Sequence, residues 1–186
     1  KVVIVTGGAN GIGRATARRF VAEGAHVVVA DVDVDGGERL VGELGDAAAF
    51  LPTDVTDPGG VQELVDFAVD HYGGLQVICN IAGVSGGLRR FLDDDLRDFE
   101  RVVAVDLFGV MACSRSAALH MVEHGGGAIV NIASGAAITP GVGMLPYRAA
   151  KAGVVHLTRC LAVELGEHGI RANCIAPANI ATDINA

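Results

Sequence analysis

The chain has 186 residues, 51% of them hydrophobic and 19% charged, which suits one globular domain with a sizeable core. Its net charge of −8 weighs against nucleic acid or a membrane surface as partner, because an acidic surface repels phosphate backbones and anionic lipid. Apolar runs alternate with helix-period segments from the first residues onward. The runs are Val2 to Val5, His26 to Ala30, Ala47 to Leu51, Leu75 to Cys79, Ala128 to Ile132 and Arg171 to Ile175. They read as buried parallel strands, apolar on both faces. Between them the periodicity predicts helices at Gly11 to Glu23, Gly36 to Leu44, Pro58 to Tyr72, Leu96 to Glu123 and Pro146 to Leu165. Right-handed crossovers between such strands build an α/β fold, a doubly wound parallel sheet, as one domain over residues 1–186. Ligands of such sheets bind at the carboxyl ends of the strands.

Two groups of residues point to that edge. The first strand runs into Thr6, Gly7, Gly8, Ala9, Asn10, Gly11, Ile12 and Gly13, with glycines spaced G-x-x-x-G-x-G. Gly7 allows a tight turn, Gly11 lets backbone N–H groups approach a pyrophosphate, and Gly13 lets the following helix pack closely on the strand. Asn10 and Ile12 complete this turn, and the helix N-terminus favours an anion. Asp31 ends the second strand, where a carboxylate accepts hydrogen bonds from the hydroxyls of an adenosine ribose and repels a 2′-phosphate. No Arg or Lys stands at Ala9, Asn10 or Val32 to receive that phosphate, so NAD is expected rather than NADP. Asp54 and Val55 follow the third strand and are assigned to the adenine, although an aspartate there also suits a simple turn.

Tyr147 and Lys151 are i and i+4 on one helix, so their side chains share a face. A phenol near an ammonium is expected to titrate below its usual value and so to exchange protons near neutral pH. Ser134 stands at the end of the fifth strand and is placed to hydrogen-bond the same substrate oxygen.

On these residues, together with Asn80-Ile81-Ala82-Gly83 and Pro177 with Thr182, the chain resembles the short-chain dehydrogenase/reductase family, in order and over nearly its whole length. The resemblance implies a Rossmann fold and an NAD(P)-dependent oxidoreductase acting on a small-molecule secondary alcohol or ketone. Tyr147 would be the general acid/base. Lys151 would hold the nicotinamide ribose and tune Tyr147, and Ser134 would orient the substrate oxygen. Backbone around Asn80, Ala82 and Gly83 would line the adenosine side, and Pro177, Ile180 and Thr182 the nicotinamide. The family's fourth helix usually carries an asparagine that holds a relay water; the matching residue here is Asp106, which is expected to keep that relay in altered form. Ile81 and Ala178 also depart from the usual asparagine and glycine.

The family normally continues into a substrate-covering segment, and that C-terminal part is expected to be missing from these 186 residues; the strand pattern already under way at Lys1 likewise suggests a piece of a longer protein. Alternatives are a non-catalytic NAD(H) sensor of the same fold, a ketone reductase like the 3-oxoacyl-carrier-protein reductases, or epimerase or dehydratase chemistry. Asp31 weighs against the reductase group, which generally uses NADPH. The loop Val84 to Phe91 is expected at the pocket, with Arg89 or Arg90 as a guess for a polar substrate. Cys79, Cys113, Cys160 and Cys174 form no CxxC and read as small buried residues of a reducing compartment. No metal site is expected, since the histidines show no ligand spacing. No signal-peptide pattern and no uninterrupted membrane-length apolar run is found, so a cytoplasmic location is expected. The apolar arcs of the helices Leu96 to Glu123 and Pro146 to Leu165 point to a homotetramer, with a dimer as second choice.

Overall fold

The computed structural model of the chain describes residues 1–178 and residue 180. Six strands form one sheet: β1 (Val2–Thr6), β2 (His26–Asp31), β3 (Ala48–Pro52), β4 (Val77–Asn80), β5 (Gly127–Ile132) and β6 (Ile170–Ile175). Their order is β3-β2-β1-β4-β5-β6, and every neighbouring pair is parallel. The chain therefore runs outward in both directions from β1 and β4, and a crevice opens at the carboxyl ends of those two strands.

β1 is five consecutive β-branched residues, all buried. Val2 and Ile4 face one core, with Val28, Ile78 and Ile129, while Val3 and Val5 face the other, with Val27 and Val29. Each such side chain contributes about 1.5–3 kcal/mol when fully buried. The expectation of strands buried on both faces fails at the two edges. β3 is only partly buried, and β6 alternates buried Ile170 and Ala172 with exposed Arg171 and Asn173. An edge strand has a neighbour on one side only, and its helical cover thins there.

The helices are α1 (Gly11–Ala22), α2 (Val34–Leu44), α3 (Pro58–Tyr72), α4 (Phe99–Val103), α5 (Val110–Glu123) and α6 (Leu145–Glu164). α2 begins two residues before the apolar pattern does, because the Asp33 carboxylate caps it, accepting from Gly36 N–H at 3.0 Å. Asp57, Pro58 and a left-handed Gly73 bound α3.

The single helix predicted from Leu96 to Glu123 is not one regular α-helix. Leu96 has φ 60°, α4 begins at Phe99, and a π-helical segment, Ala104–Gly109, joins α4 to α5. The wider π turn shifts the helical register, and Asp106 and Gly109 both face inward. Gly109 permits this, since a Cβ there would lie 2.7 Å from Val55 Cγ2. Contrary to the sequence expectation, Phe99–Glu123 is long and apolar enough to cross a membrane, with mean hydropathy 1.6. Half of it is buried inside the protein, the pattern of a core helix. Burial of Cys79 and Cys113 pushes both thiols up to about 12, so neither is a reactive thiolate near neutral pH.

Candidate active site

A cleft of ≈ 750 Å³ runs along the carboxyl edge of the sheet from β2 to the segment after β6. At one end lies the glycine turn. Gly7 has φ +63°, and a Cβ on it would sit 2.7 Å from the backbone of Ala82. A Cβ on Gly13 would sit 1.9 Å from Gly7 O, so the helix packs on the carbonyl of its own turn rather than on the strand. Thr6, which is buried, accepts N–H bonds from Ile81 (3.1 Å) and Ala82 (3.3 Å) on Oγ1, binding together the two turns that flank the crevice.

Asn10 stands at the N-cap of α1 but does not cap it; its Nδ2 donates instead to Asp33 Oδ2 at 2.8 Å. α1 has no acidic residue in its first turn. Its leading N–H groups therefore face a glycine-lined hollow without a side-chain acceptor, an arrangement that fits a pyrophosphate. Gly11 and Ile12 line the same hollow.

Asp31 and Val32 line the cleft at the end of β2. The Asp31 carboxylate is held on both oxygens: Oδ2 accepts from Ala9 N–H at 2.9 Å and Oδ1 from Asp33 N–H at 3.1 Å. Each oxygen keeps a further lone pair for a ribose hydroxyl. Asp54 and Val55 also line it. Asp54 Oδ1 accepts from both the N–H and the hydroxyl of Thr56, at 2.9 and 2.8 Å, so Asp54 is a turn residue with its second oxygen left over for a ligand. Ala82 and Gly83 line the cleft, but Asn80 does not. Its buried Nδ2 donates to Ser114 Oγ (3.0 Å) and Asn131 Oδ1 (2.8 Å), so its side chain ties β4 to β5 and α5 beneath the floor.

The other end of the cleft gathers Ser134, Tyr147 and Lys151. Ser134 lies two residues past β5, where its Oγ accepts from Ala136 N–H at 3.1 Å and acts on the Tyr147 phenol by lowering it. Lys151 is buried; its Nζ donates to Ile132 O at 3.1 Å and lies 5.7 Å from the centre of the Tyr147 ring. Asp106 is also buried, below the lining. Its Oδ1 accepts from Val84 N–H at 2.7 Å, and its Oδ2 lies 3.6 Å from Lys151 Nζ. That separation is an ion pair rather than a hydrogen bond. Oδ2 has no hydrogen-bond partner among the described residues. Burial pushes the Asp106 carboxyl up and the Lys151 ammonium down, and each charge pulls the other back toward its ionised form.

This pairing overturns the expected tuning of Tyr147. Its phenol is raised above the usual value, first by burial; the Ser134 hydrogen bond lowers it, and the Asp106 charge raises it further.

Pro177 and Ile180 line the cleft beyond β6, with Pro177 O accepting from Gly135 N–H at 2.8 Å. Thr182 lies outside the described residues. Neither Arg89 nor Arg90 reaches the cleft. Arg89 is bound to Asp98 at 2.9 Å and Asp94 at 3.6 Å, and Arg90 is exposed. Sequence reasoning missed Thr139, Pro140, Met144 and Arg148, which form a wall beside Ser134 and Tyr147. The glycines and prolines from Gly135 to Pro146 signalled a loop there, but not its position.

The chain matches the family described as short chain dehydrogenase over residues 1–186. It is 45% identical to momilactone A synthase of Oryza sativa subsp. japonica over 186 residues, covering 99% of this chain and 68% of that protein. It is 41% identical to a mitochondrial borneol dehydrogenase of Lavandula x intermedia, covering 98% of this chain and 70% of that one. Against the sex determination protein tasselseed-2 of Zea mays, at 43% identity, it spans only 56% of the relative's length. The crystal structure of a 3-ketoacyl-(acyl-carrier-protein) reductase from Brucella melitensis complexed with NADH superposes with TM-score 0.96 at 33% identity, over 99% of this chain and 77% of that one. With this match over its full length, and with a glycine turn and a Ser–Tyr–Lys group at opposite ends of one cleft, the chain belongs to the short-chain dehydrogenase/reductase family of oxidoreductases.

Proposed function

We propose that the protein transfers a hydride between NAD(H) and the carbinol or carbonyl carbon of a small secondary alcohol or ketone, with Tyr147 as general acid/base. The observation that carries this reading is the single cleft that holds Asp31 and the glycine turn at one end and Ser134, Tyr147 and Lys151 at the other. The glycine turn and the open N-terminus of α1 would hold the pyrophosphate. Asp31 would hold the adenosine ribose, and Asp54 and Val55 would flank the adenine. Ala82 and Gly83 would line the adenosine side, and Pro177, Ile180 and Thr182 the nicotinamide. Bound NAD supplies the hydride acceptor.

In the oxidative direction the Tyr147 phenolate takes the hydroxyl proton while the C–H hydrogen leaves as hydride, so the alcohol loses two electrons and two hydrogens. Ser134 holds the substrate oxygen for that transfer. Lys151 would bind the nicotinamide ribose, and Asp106 would keep its ammonium charged and carry the proton relay onward.

A second reading, ketone reduction like that of the 3-oxoacyl-carrier-protein reductases, gains from the Brucella melitensis structure. That reductase is complexed with NADH, so Asp31 no longer argues against the group. A non-catalytic NAD(H) sensor rests on Asp106 in place of the usual asparagine and on the expected missing C-terminal part, and the raised Tyr147 phenol adds to it. We further propose a cytoplasmic homotetramer, or a dimer, paired through α4, α5 and α6, where Phe99, Met111, Leu119 and Val163 are exposed.

The test is calorimetric titration with NAD and NADP, repeated on Asp31→Ala, followed by an alcohol and ketone panel scored by NADH absorbance. Tight NAD and weak NADP binding, with that preference lost in the variant, supports the assignment. Tight NAD binding without turnover on any substrate would leave the sensor. Absence of binding to either cofactor refutes both.

A further inference from the structure

The wall made by residues 139–144 is attached to the rest of the cleft in an unusual way. Among the described residues, none of 140–143 takes part in a backbone–backbone hydrogen bond outside the regular elements. Met144 enters α6 from the left-handed region, at φ 54°. Two apolar side chains next to this wall point into solvent: Ile138 is 70% exposed and Val142 66%. Such a segment has little of its own to hold it in one conformation.

Arg148 supplies what the backbone does not. It follows Tyr147 on α6, and side chains on a helix lean toward its N-terminus, here toward the 139–144 wall. Arg148 Nε donates to Gly143 O at 3.0 Å, and Nη1 donates to Thr139 O at 3.0 Å. The loop wraps the guanidinium so closely that a Cβ on Gly141 would lie 2.4 Å from Nη2. A planar guanidinium can bridge two carbonyls four residues apart, whereas an ammonium is one compact donor group.

We infer that Arg148 is a positioning residue, a latch that fixes the 139–144 wall against the helix carrying Tyr147 and so sets the shape of the substrate half of the cleft. Thr139, Pro140, Met144 and Arg148 itself line that half. The latch also sets the fit to the facing loop, because a Cβ on Gly143 would lie 2.8 Å from Leu88 Cδ1. The consequence for substrate rests on the proposed dehydrogenase reading; the latch does not.

Two variants approach the latch from opposite sides. Arg148→Gln removes the fork, and Gly141→Ala pushes the guanidinium away without altering α6. Arg148→Lys keeps the charge but not the fork. Amide hydrogen exchange of Thr139, whose N–H donates to Gly135 O at 2.9 Å and whose carbonyl Arg148 holds, is expected to speed up about tenfold or more in the first two in the cofactor-free protein, with Arg148→Lys between them and wild type. In turnover the same variants are expected to raise KM for the alcohol about tenfold, with NAD affinity and the pH profile unchanged. Unchanged exchange in both Arg148→Gln and Gly141→Ala overturns the latch. Full retention of wild-type exchange and KM by Arg148→Lys overturns the two-carbonyl bridge in favour of charge alone. If wild type turns over nothing, the dehydrogenase reading fails, and exchange alone decides the latch.

Discussion

The two ends of the cleft are held by different physics. At the nucleotide end the restraints are steric and set by backbone groups. Gly7 and Gly13 have no room for a Cβ, and Thr6, Asn10 and Asp31 are fixed through backbone or capping groups nearby. At the substrate end the walls are loops held by a few charged side chains: Arg89 on Asp94 and Asp98, and Arg148 on two carbonyls. Apolar side chains stand exposed there, Leu88 at 78% and Leu92 at 93% among them. The difference teaches which half of the cleft a substitution can reshape. Backbone geometry at the nucleotide end tolerates little change, whereas loop side chains at the substrate end can be exchanged without disturbing the sheet.

The largest expected effect lies at the substrate end. Tyr147→Phe should lower kcat by about 10²–10⁴-fold while NAD still binds, measured by NADH formation and calorimetry. If cofactor binding fell equally, the separation of the two ends would be broken. Gly13→Ala should abolish NAD binding and cost about 1–3 kcal/mol of stability through overpacking. For a chain of this size that is roughly 2–4 °C of Tm per kcal/mol, read by calorimetric melting. Asp31→Ala should weaken NAD roughly 10–100-fold, as expected for lost hydrogen bonds to a charged group, and leave NADP nearly untouched.

The pH predictions sharpen the substrate end. The Tyr147 phenol is raised, so alcohol oxidation, which needs the phenolate, should climb with pH into the alkaline range. Ketone reduction, which needs the phenol protonated, should instead hold at neutral pH and fall over that same range. The Asp106 charge is one cause of the raised phenol, so Asp106→Asn should move both limbs to lower pH. An unmoved profile with an unchanged rate would remove Asp106 from the chemistry.

The smallest effect concerns the loop held by Arg89. The Asp98 carboxyl is lowered, first by its hydrogen bond from Arg89 and then by Gly87 N–H. A lowered carboxylate contributes stability above its usual range and loses it as pH falls through the lowered value. The Tm difference between wild type and Asp98→Asn should therefore be slight at neutral pH and vanish in acid.

Much of the fold was legible because it depends on short-range patterns. The β-branched run Val2 to Thr6 reads as a buried strand, and Pro58 to Tyr72 shows its own start and stop signals, so the predicted and observed β1 and α3 agree. The glycine turn, Asp31 and the Tyr147–Lys151 spacing were legible for the same reason, since each is a local constraint written in consecutive or i, i+4 residues. The π turn at Ala104–Gly109 was not legible, because apolar periodicity does not report one extra residue in a helical repeat.

Nor could the sequence show where three side chains would point. Asn80 turned into the core, Asp106 onto Lys151, and Arg148 onto the carbonyls of Gly143 and Thr139. The partner of Asp106 is 45 positions away along the chain, and that of Asn80 is 51 positions away. Local chemistry thus determined the sheet, the glycine turn and the i, i+4 spacing of Tyr147 and Lys151. Tertiary packing decided the direction in which the Tyr147, Lys151 and Asp106 titrations shift and the shape of the substrate wall, because burial and long-range pairing act between residues far apart in sequence.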